Sequence, residues 1–204
     1  MDQFFLKKRL YSIPVWLVYV CGTVPAVLLI YGAFSNQLGP DPVKTIEHEL
    51  GLYALKFLIC VLLIRPLRRI LNINLIKYRR ALGLLSFWYV CVHFLTYIIL
   101  DQQLYWSAII KDLVKRPYIV LGFTSFIVLM LLAITSNNWS KKRLGAAGWR
   151  AIHILVYPAT LLAVLHFVML VKSWPIEPLA YLAIVFTLIC YRFLSSKNNK
   201  SDRS

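Results

Sequence analysis

The sequence predicts an all-α integral membrane protein: a six-transmembrane-helix bundle with both N and C termini cytoplasmic. Three observations lead there. The chain of 204 residues is 60% hydrophobic and only 15% charged, which leaves no room for a separate soluble domain beside its apolar runs. Those runs number six, and each approaches the roughly 20 residues that a helix needs to cross hydrocarbon. The basic residues sit between the runs and alternate in density from one connection to the next, as the positive-inside rule requires.

Residues 1–204 therefore read as one membrane domain, with spans at roughly 12–34, 46–64, 81–100, 118–135, 149–171 and 179–194 and a polar tail at 195–204. Lys7, Lys8 and Arg9 before the first run imitate a signal peptide. The run behind them is too long for a signal core, so it reads as an uncleaved span, kinked at Pro25. The second span opens with Glu47, His48 and Glu49 at an interface and carries Lys56 inside. A basic connection with Arg65, Arg68, Arg69, Lys77, Arg79 and Arg80 leads to the third span, which contains His93. The mixed-charge segment from Asp101 to Tyr118 bears Tyr105 and Trp106 and is expected along the membrane surface. The fourth span has no charge. Residues 136–150 read as a basic loop, residues 172–178 as a short turn and the tail as disordered.

Counting Lys and Arg orients the bundle. The N-terminal segment holds three, the second connection six, the fourth connection four and the C-terminal segment four, against five on the other side (Lys44, Lys111, Lys115, Arg116 and Lys172). The same asymmetry accounts for the net charge of +15 without nucleic acid. Cys21, Cys60, Cys91 and Cys190 all lie in apolar runs and form no C-x-x-C pair, so they read as small buried hydrophobes.

Histidine carries the chemistry. His93, His153 and His166 sit deep in apolar runs, where an imidazole is costly unless it meets protein, water or a ligand. A single such residue is more often a polar contact between helices. Three of them point to axial ligation of haem iron, for which neutral imidazole is a good donor. His153 and His166 are 13 residues apart, about 20 Å along a helix, so one haem cannot use both. His93 matches His166 in depth. The pair His93–His166 is the expected bis-histidine site, toward the outer end, with His153 nearer the cytoplasm. On an ideal helix His153 and His166 point about 140° apart, and Pro158 between them is the natural place for a kink. Arg79 and Arg80, at the inner end of the third span, suit haem propionates or a flavin phosphate. His48, at the boundary, reads as a solvated or capping residue.

Several strings carry a resemblance: LGPDPVKTIEH, ALKFLICVLLIRPLRR, RRALGL, KRPYIVLG, KKRLGAAGWRAIHILVYPATLLAVLHF and VKSWP. Through them nearly the whole chain resembles the MsrQ (YedZ) family. These are haem-binding membrane subunits of the bacterial periplasmic methionine sulfoxide reductase system, within the ferric reductase-like transmembrane group. The resemblance implies haem b, one or two, held by His93, His153 and His166. It also implies FMN, a place in the bacterial inner membrane, and a periplasmic molybdopterin-dependent catalytic subunit that reduces methionine sulfoxide to repair oxidised proteins. The wider group has two histidines on each of two helices. Here Arg79 or Arg80 stands where the fourth would fall. No G-x-G-x-x-G nucleotide-binding string occurs, so electrons are expected from a separate cytoplasmic flavin reductase-type donor or from quinone. The chain itself is then an electron-transfer subunit, with catalysis left to its partner. The alternatives are a haem and flavin reductase with another acceptor, a histidine-relay transporter, and a bare membrane anchor. Spans three to six lack the acids that a relay transporter usually carries, and an anchor gives the buried histidines no purpose.

Overall fold

The computed structural model describes residues 13–170 and 176–201. The expected start of the first span at Ser12, the three basic residues before it, residue 171 at the end of the fifth span, residues 172–175 of the expected turn and residues 202–204 of the tail lie outside the described residues. Every element is helical: α1 (Val15–Phe34), α2 (Pro42–Ile70), α3 (Arg79–Thr96), α4 (Trp106–Lys115), α5 (Pro117–Ile134), α6 (Asn138–His153), α7 (Val156–Leu170) and α8 (Ile176–Ser201). A 3-10 turn, Ile76–Tyr78, leads into α3, and a π turn, Tyr97–Asp101, ends it. Six stretches are long and apolar enough to cross a membrane: Val15–Phe34, Pro42–Ile70, Ile76–Asp101, Pro117–Ile134, Asn138–Leu170 and Ile176–Ser195. The protein is an all-α, multi-pass membrane protein.

Local chemistry sets the helix starts. Asp41 caps α2 by accepting the Lys44 N–H at 3.2 Å, and Pro42 follows in the first turn, where its missing N–H costs nothing. Pro117 opens α5 in the same way. Asn137 caps α6 through Ser140 N–H at 2.7 Å.

Burial singles out α2 as the central helix. Half of its apolar window is inside the protein, against 17–22% for the other five. Leu50, Ala54, Leu58, Val61 and Ile64 form its inward stripe, recurring every three or four residues as one helix face does. Outward faces stay apolar: Val27, Leu28, Ile30 and Tyr31 on α1 are exposed. In water that would be a liability; against lipid it is the expected surface.

Tyr89 fastens α1 to α3. It is fully buried, donates its hydroxyl to Gly22 O at 2.8 Å and accepts from Ala26 N–H at 3.2 Å. Those two backbone groups are partners four apart in an unbroken helix. The hydroxyl bridges them across Pro25, which has no N–H of its own. Gly22 also lets Leu85 come close, since a β carbon there would meet Leu85 Cδ1 at 2.5 Å.

Four expectations are corrected. The second span does not stop near residue 64; α2 runs through Pro66 to Ile70 and absorbs Arg65, Arg68 and Arg69, whose long stems let a helix continue beyond the hydrocarbon. Residues 138–150 are helical, not a loop, because Lys, Arg, Leu and Ala favour helix even without an apolar period. The fifth span is not one helix from 149 to 171. It breaks at Ile154 and Leu155, between α6 and α7, and α6 ahead of it is kinked at Gly145, φ 69°. Pro158 explains the break, since its ring meets the carbonyl four residues back, that of Ile154. Finally, α8 continues to Ser201: adding residues to a formed helix is far cheaper than starting one.

Candidate functional site: two imidazoles between two helix pairs

The structure brings His93 of α3 and His166 of α7 together. Their ring centres are 6.4 Å apart and their planes are nearly perpendicular, at 80°. His93 Nδ1 lies 2.8 Å from the Glu47 carbonyl of α2, and His166 Nδ1 lies 2.7 Å from the Tyr118 carbonyl of α5. A carbonyl only accepts, so each Nδ1 carries the proton and each Nε2 keeps its lone pair. That is the arrangement by which proteins orient a metal-binding histidine.

Two glycines make room for the rings. A β carbon on Gly51 would stand 3.3 Å from His93 Nδ1, and one on Gly122 would stand 2.9 Å from His166 Nδ1. Both glycines are one turn beyond the residue whose carbonyl holds the same ring. The pattern repeats further along. Ser86 donates to Ala54 O at 2.9 Å, joining α3 to α2, and Ser125 donates to Ala159 O at 2.9 Å, joining α5 to α7. On α2 the sequence of roles is carbonyl 47, Gly51, residue 54; on α5 it is carbonyl 118, Gly122, residue 125. On α3 the serine precedes its histidine by seven residues, and on α7 Ala159 precedes His166 by seven. The site is thus built from two helix pairs with the same internal register.

The geometry tests what could sit there. An imidazole nitrogen binds a first-row metal at about 2 Å with the ring centre about 1 Å behind, so two axial rings on one ion have centres about 6 Å apart. The observed 6.4 Å fits. No group of three or more His, Cys, Asp or Glu side chains with metal-binding geometry occurs among the described residues. Two imidazoles alone leave a metal short of donors. A macrocycle that brings its own in-plane nitrogens fits this donor set; a bare ion does not.

The other residues singled out from sequence fall elsewhere. His153 ends α6, one helix break away. Its Nε2 lies 3.2 Å from Thr135 Oγ1, and that hydroxyl already donates to Leu131 O at 2.8 Å, so Nε2 is the donor. Trp149 stacks on the ring at 3.9 Å between centres, held by its own Nε1–H bond to Thr135 O at 3.0 Å. No second imidazole accompanies His153 among the described ring contacts. Arg79 is half-buried and lies within electrostatic range of His153; Arg80 is exposed. His48 is exposed, 3.7 Å from a Glu49 carboxylate oxygen, and takes no part in the pair. Sequence reasoning missed Gly51 and Gly122. Their one visible signal was that each is an isolated glycine inside an apolar helical run.

A six-helix membrane protein with paired imidazoles between its helices defines a class, and comparison with known proteins agrees. Residues 50–177 match the model of the ferric reductase like transmembrane component. Proteins from Brucella ovis, Brucella canis and Brucella suis, each described as the haem-binding subunit MsrQ of protein-methionine-sulfoxide reductase, are 54% identical over 177 residues. The match covers 87% of this chain and 80% of each of theirs. The chain belongs to the ferric reductase-like transmembrane family, in the branch formed by these MsrQ subunits.

Proposed function

We propose that this protein is the haem-binding membrane subunit of a methionine sulfoxide reductase system and conducts electrons across the bacterial inner membrane. The observation that carries this is the His93–His166 pair, with two Nε2 lone pairs directed by backbone carbonyls and spaced for one iron. Haem b, when bound there, supplies a centre that accepts and releases one electron at a time. The chain's own residues do the rest. His93 and His166 hold the iron, the Glu47 and Tyr118 carbonyls fix their tautomers, and Gly51 and Gly122 set how closely α2 and α5 approach the rings. Packing among α2, α3, α5 and α7 leaves both rings partly buried. His153 is the candidate ligand of a second, inner haem; its Nε2 would first have to leave Thr135. Arg79 and Arg80 are the candidates for a propionate or a flavin phosphate.

The basic end of the bundle is cytoplasmic in this proposal, so the paired site lies toward the periplasm. A cytoplasmic flavin reductase-type donor or a quinone, with FMN as intermediary, supplies the electrons. A periplasmic molybdopterin-dependent catalytic subunit consumes them. Each sulfoxide reduced takes two electrons and two protons and releases its oxygen as water. The names of the relatives support that partner; the absence of a nucleotide-binding string in this chain supports a separate donor.

Membrane vesicles of known sidedness test the proposal. Without oxygen, donor on the cytoplasmic face is expected to reduce the haem, and the catalytic subunit with methionine sulfoxide on the other face to reoxidise it. Haem that stays reduced would remove the partner and leave a reductase with another acceptor.

A further inference from the structure

The inward stripe of α2 changes character at its basic end. Val61, Ile64, Arg65 and Arg68 stand at positions i, i+3, i+4 and i+7, so they share one helix face. The first two are buried core residues. The arginines after them continue the same face, and with Ile76, Arg79 and Tyr157 they line a cavity of about 180 Å³. Three arginines from two segments therefore line one small space, together with apolar side chains and a tyrosine. A fourth, Arg192 of α8, lies over the Tyr157 ring at 5.8 Å from its centre.

None of these arginines has a carboxylate partner among the described residues, whose ion pairs are Lys44–Asp41, His48–Glu49 and Arg116–Asp112. All three lie toward the opposite end of the bundle. Arg65 and Arg68 are exposed at the rim of this space and Arg79 is half-buried, and three like charges that line one space attract an anion to it. The positive-inside rule asks for arginines near this end. It does not ask for two of them on α2 and one on α3 to line the same cavity.

We propose that Arg65, Arg68 and Arg79 form a phosphate-binding site. The planar fork of a guanidinium matches phosphate oxygens two at a time, and three forks around one cavity give a set that a carboxylate would not fill. The volume is below the roughly 300–1,000 Å³ of pockets that enclose a whole drug-sized ligand, so the site takes the phosphate end of a molecule whose remainder lies outside. Two sources supply that chemistry: an anionic phospholipid of the adjoining leaflet, for which basic pockets between membrane helices are a known receptor, or a soluble phosphomonoester such as flavin mononucleotide. The site extends the anion-binding role given to Arg79 above and stands apart from the histidine pair, so either can fail alone.

The test uses the full-length protein, delipidated in detergent, and follows its unfolding midpoint. Phosphatidylglycerol and phosphatidylcholine form one pair of additives; flavin mononucleotide and riboflavin form the other. A rise with the anionic member of a pair, weakened at high salt and absent with its partner, is expected and identifies the source. Arg65→Gln/Arg68→Gln is expected to abolish the rise. The charge-keeping Arg65→Lys/Arg68→Lys, which protects folding and orientation, is expected to raise the half-saturating concentration about tenfold. Equal responses within each pair, or equal responses of wild type and the Lys double variant, would overturn the site. The haem spectrum, read in the same samples, reports separately on the histidine pair.

Discussion

Gly122 stands where a β carbon would approach His166 Nδ1 to 2.9 Å, while the corresponding distance from Gly51 to His93 is 3.3 Å. The first is closer than side chains pack, and the ring cannot swing away without losing its 2.7 Å bond to Tyr118 O. Gly122→Ala is therefore expected to lower haem content strongly and Gly51→Ala mildly. Alanine is the better helix former by about 1 kcal/mol, so the helices themselves should not weaken. Haem-to-protein ratios of the two purified variants check the order. A fully loaded Gly122→Ala protein would count against the close fit.

The histidines should separate by spectrum. His93→Ala and His166→Ala are each expected to abolish the same low-spin haem signal, because in the proposed site each would supply one ligand to a shared iron. His48→Ala should leave it intact. His153→Ala should change a different population or lower content in a way that matches neither. Identical spectra for His153→Ala and His93→Ala, beside a normal His166→Ala, would undo the pairing.

Tyr89 offers a test of packing that does not involve the site. Tyr89→Phe keeps the ring and removes the hydroxyl that joins Gly22 O and Ala26 N–H. The expected cost is about 1–2 kcal/mol. It should appear as a lower Tm, by about 2–4 °C per kcal/mol, with haem content unchanged. An unaltered Tm would mean that the helix closes its own bond without help.

Orientation rests on the uneven placement of Lys and Arg. A reporter active only in the periplasm, fused to the C-terminus, is expected to stay silent. A strong signal would invert every inner and outer position above.

Much of this arrangement could be read from the chain. The rise per residue of a helix is fixed, so matching His93 with His166 by depth needed only span limits and direction. Facing was another matter. The calculated 140° between His153 and His166 assumed one continuous helix, and the break at Ile154 and Leu155 removes that assumption. Pro158 hinted at a disturbance but not at its size. Helix α6 was missed because its polar residues carry no apolar period to detect. The Glu47 and Tyr118 carbonyls were invisible for a simpler reason: every residue has one, and only the packed bundle selects which of them meets a ring.

That selection has an evolutionary consequence. The groups that set the tautomers of His93 and His166 belong to the main chain, so no substitution of the side chains at positions 47 and 118 deletes them. Substitution there leaves the carbonyl acceptor in place, although at position 118 the tyrosine ring also packs 6.0 Å from the His166 ring. Selection on the paired site falls instead on four codons, two for histidine and two for glycine, and a variant library across the bundle would show strong intolerance at both histidines and Gly122 and a weaker dip at Gly51.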